Sequence, residues 1–384
     1  MRGRPLLRWR RGPRKRPGLK ETSLKTTALA AIAAALSLGG AATAAPAQGP
    51  LRVVQLDVEG GGGVLFLTPE GRSVLVDTGW PPGMPAPAEG VKPERSSADV
   101  IIAAAQKLGI RQIDYLIISH YHTDHIGGAV EFIKRFPVAN FIDHGDNTEL
   151  PAADRPVTPT HASRTYAAYL AAIGDRPRRV VKPGDTVDVG SLKLTVVTSH
   201  RGVLQQPLPG AGGATPGCAE AGEKDAIGGE ENPRSVGFIA NFGKSRILHL
   251  ADVTWNVEKE LVCPTDKIGP VDLMIASHHG SDLSNSPPLL AAAKPRVVLV
   301  GNGARKGGDE PVLQRLRAVT PVEAIWQVHS ATRSPQADVD EVRVANLQPQ
   351  PDANYSLVAE VAPDGAITVV NERNNQRQRY APSR

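Results

Sequence analysis

His120-Tyr121-His122-Thr123-Asp124-His125 places three imidazoles and a carboxylate within six residues, in a chain that has ten histidines among 384 residues. The run before it, Ile113-Asp114-Tyr115-Leu116-Ile117-Ile118-Ser119, is apolar and partly β-branched and reads as a buried strand. The run after it, Ile126-Gly127-Gly128-Ala129-Val130-Glu131-Phe132-Ile133, reads as the start of a helix reaching Phe136. The polar residues therefore sit on a strand-to-helix turn. Residues two apart on an extended segment point the same way, so His120, His122 and Asp124 converge while the turn aims His125 elsewhere. Imidazole nitrogens suit one divalent metal, and a carboxylate with an imidazole suits a second. A histidine-rich surface loop is the bland alternative; the anchoring of this run between two apolar elements speaks against it.

Four stretches, in order, resemble the metallo-β-lactamase superfamily. The histidine run matches its HxHxDH signature. Upstream, Val74-Leu75-Val76-Asp77-Thr78-Gly79 looks like the strand that ends in Asp-Thr-Gly. Downstream, Leu248-His249-Leu250-Ala251-Asp252 looks like the strand that ends in a metal-bridging aspartate, and Ala276-Ser277-His278-His279-Gly280-Ser281 resembles the late His-Gly motif. Together with the opening Gln55-Leu56-Asp57-Val58, the His-His-Gly-Ser form is most similar to the soluble domain of ComEC/Rec2-type competence proteins, without their membrane channel. The likeness spans roughly residues 52 to 330. It implies an α/β fold, a four-layer αβ/βα sandwich of two mixed β-sheets with helices outside and metals at one sheet edge. Apolar strands alternating with amphipathic helices fit that layering.

The resemblance also implies two divalent metal ions, zinc foremost, held by His120, His122, Asp124, His125, Asp252 and His279. Asp77 would orient ligands instead of binding metal, against a plain role in the Asp-Thr-Gly turn. Asp252 has its own alternative as the N-cap of a helix near Trp255. His144 and His200 each follow a strand and are weaker candidates for the first ion's third histidine, because the usual Gly-His context is absent. A metal-ionised water would attack a carbonyl or phosphoryl centre, held by Asp124 or Asp252. His278 would bind an oxyanion or donate a proton. In Gly301-Asn302-Gly303-Ala304-Arg305-Lys306-Gly307-Gly308, Lys306 and more weakly Arg305 would meet an anionic substrate group, unless the loop is a solvated turn.

The first 25 residues carry ten Lys or Arg against one acid, Glu21, and an uncharged, alanine-rich run to Ala45 follows. A basic start, a short apolar core and small residues before Ala45-Pro46 predict a signal peptide over residues 1–45, and with it a periplasmic or secreted protein. The apolar run is short for a span, so no stable membrane anchor is expected after processing. The chain's formal charge of +5 less the leader's +9 leaves about −4. Nucleic acid therefore remains a partner that composition does not support; a small-molecule or phosphoester substrate fits better. The hydrolase domain is expected over 50–372, with an insertion loop at 202–232 and a frayed tail at 373–384. The only two cysteines, Cys218 and Cys263, read equally as a disulfide or as free thiols. Three classes stay open: a phosphoester or phosphodiester hydrolase, a carbonyl hydrolase acting on a lactone, thioester or β-lactam, and a non-catalytic metal-binding module.

Overall fold

Three short apolar runs become β1 (Leu51–Gln55), β2 (Val64–Leu67) and β3 (Ser73–Val76), an antiparallel meander. The computed structural model describes residues 49–85, 93–149, 151, 153–154, 156–224, 231–347 and 354–383. β2 and β3 are buried at every position. Successive side chains enter different cores: Phe66, Val74 and Val76 one, Leu65, Leu67 and Leu75 the other. That two-residue period is the geometry of a strand, and a sheet buried on both faces needs a layer on each side.

After α1 (Ser97–Lys107), closed by a capping box between Ser96 and Asp99, the chain enters β4 (Ile113–Ile117), parallel to β3. The helix expected over 126–136 is two pieces, α2 (Thr123–Ile126) and α3 (Ala129–Arg135). They meet at Gly127-Gly128, where the backbones crowd: a Cβ would lie 2.1 Å from the Thr123 oxygen at the first and 2.1 Å from the Thr78 oxygen at the second. β5 (Val138–Asp143), α4 (Ala162–Ile173) and β6 (Arg178–Val180) follow. A second half opens with antiparallel β7 (Thr186–Val189), β8 (Leu192–Ser199), the short β9 (Gly202–Val203), β10 (Gly237–Phe242) and β11 (Ser245–His249). Helices α5 (Trp255–Val262), α6 (Pro287–Ala293) and α7 (Glu310–Ala318) then alternate with β12 (Leu273–Ile275), β13 (Val297–Val300) and β14 (Ala324–His329). With β15 (Val344–Asn346), these strands run parallel to β11. β16 (Leu357–Val361), β17 (Ile367–Asn371) and β18 (Arg377–Tyr380) return to the first sheet beside β1.

The sheets run β18-β17-β16-β1-β2-β3-β4-β5-β6 and β15-β14-β13-β12-β11-β10-β8-β7. One core lies between them and includes Leu51, Phe66, Leu194, Phe238 and Trp326. A second joins the first sheet to Ile101, Phe132 and Tyr169 of α1, α3 and α4, and a third joins the other sheet to Leu261, Leu290 and Leu313 of α5, α6 and α7. This is the four-layer sandwich of two mixed sheets. Each sheet passes from antiparallel to parallel pairing, and the functional motifs leave the carboxyl ends of the parallel strands, where open α/β sheets bind their ligands.

Several expectations need correction. The tail is not frayed throughout: Arg377–Tyr380 pairs with β17, and Trp326 Nε1 donates to the Tyr380 hydroxyl at 3.0 Å. One buried tyrosine anchors a strand that otherwise reads as polar. The described part of the 202–232 stretch is laced to residues 262–267: the Leu208 N–H donates to the Lys267 oxygen, the Gly212 N–H to the Asp266 oxygen, and Cys218 is disulfide-bonded to Cys263. The leader expected over 1–45 lies outside the described residues. Among the described residues no helix is long and apolar enough to cross a membrane.

Candidate metal centre

Asp77, just past β3, organises the centre from behind. It sits at φ 62°, and its carboxylate accepts both the Ser119 N–H and the Ser119 hydroxyl at 2.7 Å. The same carboxylate lies 2.7 Å from His125 Nδ1. Nδ1 therefore carries a proton and donates it, which leaves the lone pair of His125 Nε2 facing inward. That nitrogen lies 3.1 Å from Asp124 Oδ2, 3.2 Å from Asp252 Oδ2 and 3.1 Å from His279 Nε2. His279 Nε2 in turn lies 3.3 Å from Asp124 Oδ2 and 3.4 Å from Asp252 Oδ2. Two carboxylate oxygens and two imidazole nitrogens thus converge, all from buried residues. One proton bridges only one of these close pairs; a divalent cation meets all four donor atoms, so the donor set fits a metal.

A second pair stands beside it. His120 Nδ1 faces the Ser119 hydroxyl oxygen at 3.1 Å and His122 Nε2 faces Glu149 at 3.3 Å, while His120 Nε2 and His122 Nδ1 approach each other at 3.1 Å. The inner nitrogens again present lone pairs. Among the described residues no third His, Cys, Asp or Glu completes a close donor cluster with this pair.

The Gly-rich turn after β1 closes over the centre because it has no side chains. The Gly62 N–H donates to the Asp124 oxygen at 2.8 Å, and a Cβ at Gly62 would lie 2.5 Å from His125 Nδ1. Ala251, His278 and His279 also hold positive φ, at 50°, 52° and 56°. L residues avoid that region by about 1–2 kcal/mol, and such conformations gather at functional sites.

Electrostatics follow from the packing. Burial alone would raise the carboxyls of Asp124 and Asp252, but the Lys306 ammonium and His125 beside the first, and His125, His278 and His279 beside the second, hold both well below the usual range. Burial opposes charge on His125; Asp252, Asp124 and Asp77 overcome it and push its pKa well up, so the site calls for a positive charge at Nε2, which a proton or a metal ion supplies. Burial also dominates at His278, pulling it down to about 4. Its Nδ1 faces the Ser284 hydroxyl at 3.3 Å, and that hydroxyl donates to the Val253 oxygen at 2.6 Å. His278 Nδ1 is therefore the protonated nitrogen, and Nε2, 3.4 Å from Asp252 Oδ2, has a free lone pair.

Of the residues singled out in the sequence, His120, His122, Asp124, His125, Asp252 and His279 come together, with Asp77 behind them and Lys306 paired to Asp124. His144 and His200 do not join. His144 Nε2 is 3.0 Å from Glu231 in a fully buried pair, and His200 is exposed on a left-handed turn with its ring 5.8 Å from that of His144. Arg305 is exposed, whereas Lys306 turns inward. Sequence reading missed Glu231, which accepts the Tyr121 N–H between the two histidines at 3.0 Å, and Glu149 behind His122. Both lie in irregular stretches where no periodicity marks a buried acid.

The family model for the metallo-beta-lactamase superfamily matches residues 58–301. Recombination protein 2 of Haemophilus influenzae is 25% identical over 254 residues, 66% of this chain and 24% of that protein. Ribonuclease Z of Methanopyrus kandleri is 29% identical over 103 residues, 26% of this chain and 32% of that protein. Hydroxyacylglutathione hydrolase of Rhodopseudomonas palustris is 29% identical over 105 residues, 27% of this chain and 38% of that protein. The chain thus spans a quarter to two fifths of the length of these relatives. The solved metallo-beta-lactamase fold protein YhfI of Bacillus subtilis, 13% identical, covers 73% of this chain and 96% of its own at a TM-score of 0.40. With the family match covering well over half of its length and the donor cluster intact, the chain belongs to the metallo-β-lactamase superfamily of metal-dependent hydrolases.

Proposed function

We propose that the protein is an exported hydrolase of phosphoesters or phosphodiesters that works with two divalent ions, zinc foremost. Asp124, His125, Asp252 and His279 would hold one ion, and His120 and His122 the other with help from solvent. Such ions supply Lewis acidity and bring the pKa of water close to neutral. The chain does the rest. Asp77 keeps the His125 ring turned so that its lone pair faces inward. Asp252 Oδ2, close to both His125 and His278, orients the attacking water. His278, uncharged and with Nε2 free, accepts the proton of the water and returns it to the leaving oxygen. Lys306, the ammonium at the cluster, balances charge growing on a phosphoryl oxygen.

The convergence of the four inward-facing donor atoms carries the reading; Lys306 and the relative named ribonuclease Z support the phosphoester side of it. The relative named hydroxyacylglutathione hydrolase keeps a thioester reading alive as the second choice. The Cys218–Cys263 disulfide favours an oxidising compartment, in line with the leader. Assay of the purified protein on bis-p-nitrophenyl phosphate, a thioester, a lactone and nitrocefin, with and without chelator, tests it. Chelator-sensitive turnover of the phosphodiester above the others is expected. Turnover of the thioester alone would move the assignment to carbonyl chemistry, and turnover indifferent to chelator would remove the metal mechanism.

A further inference from the structure

We propose that Lys306 is a tethered cation that competes with a divalent ion at Asp124, and so sets how tightly the position formed by Asp124, His125, Asp252 and His279 is filled. The inference rests on the metal-centre reading above. The Lys306 ammonium donates to Asp124 Oδ2, the same oxygen that lies 3.1 Å from His125 Nε2 and 3.3 Å from His279 Nε2. Any ion taken by that oxygen is an immediate neighbour of the ammonium. Like charges in a partly buried site repel several times more strongly than in water.

The backbone of Lys306 has nowhere to go. The Gly303 N–H donates to the Lys306 oxygen at 2.9 Å, and the Gly308 N–H to the His279 oxygen at 2.9 Å. A Cβ at Gly307 would lie 2.1 Å from that His279 oxygen, and a Cβ at Gly60 only 3.2 Å from Lys306 Cβ. The loop is thus wedged between the late histidine motif and the Gly-rich turn. Its head group is different: the side chain is 33% exposed, with Nζ 5.1 Å from the centre of the Trp80 ring. A fixed stem that sets the ammonium at the edge of the cleft, with a third of the side chain open to solvent, is what a competitor requires. The ammonium neutralises Asp124 when the position is empty and swings into the cleft, toward an anionic substrate group, when it is filled.

Calorimetric titration of Zn2+ and of Mn2+ into chelator-stripped protein, with the bound metal counted by mass spectrometry, tests this. Wild type is compared with Lys306→Met, which keeps the stem, and Lys306→Arg, which keeps the charge. Lys306→Met is expected to bind its tighter ion at least about tenfold more strongly than wild type, with Lys306→Arg close to wild type. Equal or weaker binding by Lys306→Met overturns the proposal and leaves the metal-centre reading standing; no metal on any of the three proteins overturns both. Should Lys306→Met lose its fold by circular dichroism, Lys306→Gln carries the same comparison.

Discussion

Among the described residues, two clusters bring together three or more carboxylates and imidazoles, and they are built to opposite ends. At the metal centre, the outer nitrogens of three rings are served from behind: His125 by Asp77, His120 by Ser119, His122 by Glu149. Lone pairs are thereby forced inward. In the other cluster, His329 Nε2 lies 2.7 Å from Asp57 Oδ1 and 3.7 Å from Glu59 Oε1, and its Nδ1 has no partner. Nothing draws the proton outward, so it stays on Nε2 and is shared with Asp57, whose oxygen also accepts the Glu59 N–H at 3.0 Å. The same residue types make a socket for a metal in one place and a proton-filled clamp in the other. What decides between them is the hydrogen-bond partner of the far ring nitrogen.

The largest effect that would break this contrast comes from Asp252→Ala. It is expected to strip metal from the centre and lower chelator-sensitive hydrolysis by about a thousandfold or more, near the loss seen when one strong transition-state contact is removed. Metal retained at the wild-type count would mean that Asp252 is not a ligand. Next comes His329→Ala, which leaves Asp57 buried without its partner and is expected to destabilise the fold by about 3–5 kcal/mol in denaturant unfolding, with the metal count unchanged. A drop in bound metal there would join the two clusters into one system. Burial opposes charging His329, yet Asp57 and Glu59 prevail and raise its pKa. The stability it contributes is therefore complete below the ordinary imidazole value and is lost as pH rises through the raised one; His329→Gln should flatten that slope. The smallest effect expected is that of Asp77→Asn, which weakens the outward pull on the His125 proton and should reduce metal affinity by about 10- to 100-fold, read by competition with a chromogenic chelator.

How much of this the sequence displayed depends on how local each signal is. His120 to His125 are legible because one turn holds them, and Asp252 and His279 because each follows a short apolar strand at a recognisable end. Asp77 is legible for the same reason. The Asp57–His329 clamp joins residues 272 positions apart, and no spacing rule reaches that far. His144 follows a strand as a ligand would, but Glu231, 87 residues away in a stretch without periodicity, takes its nitrogen. β7 alternates Thr-Val-Asp-Val as a half-buried strand does but over only four residues, and β18 has three polar residues; each is held by pairing to a neighbour that composition cannot show. α6 and α7 are hard to read in the sequence because a Pro-Pro start and interspersed charges conceal their apolar faces.

The Cys218–Cys263 bridge uses every cysteine the chain has. Under oxidising conditions these two thiols therefore have a single intramolecular answer, with no scrambled isomer for an isomerase to correct. The one available error is a covalent link between two molecules, so yield in an oxidising host should depend on how dilute the nascent chains are rather than on shuffling.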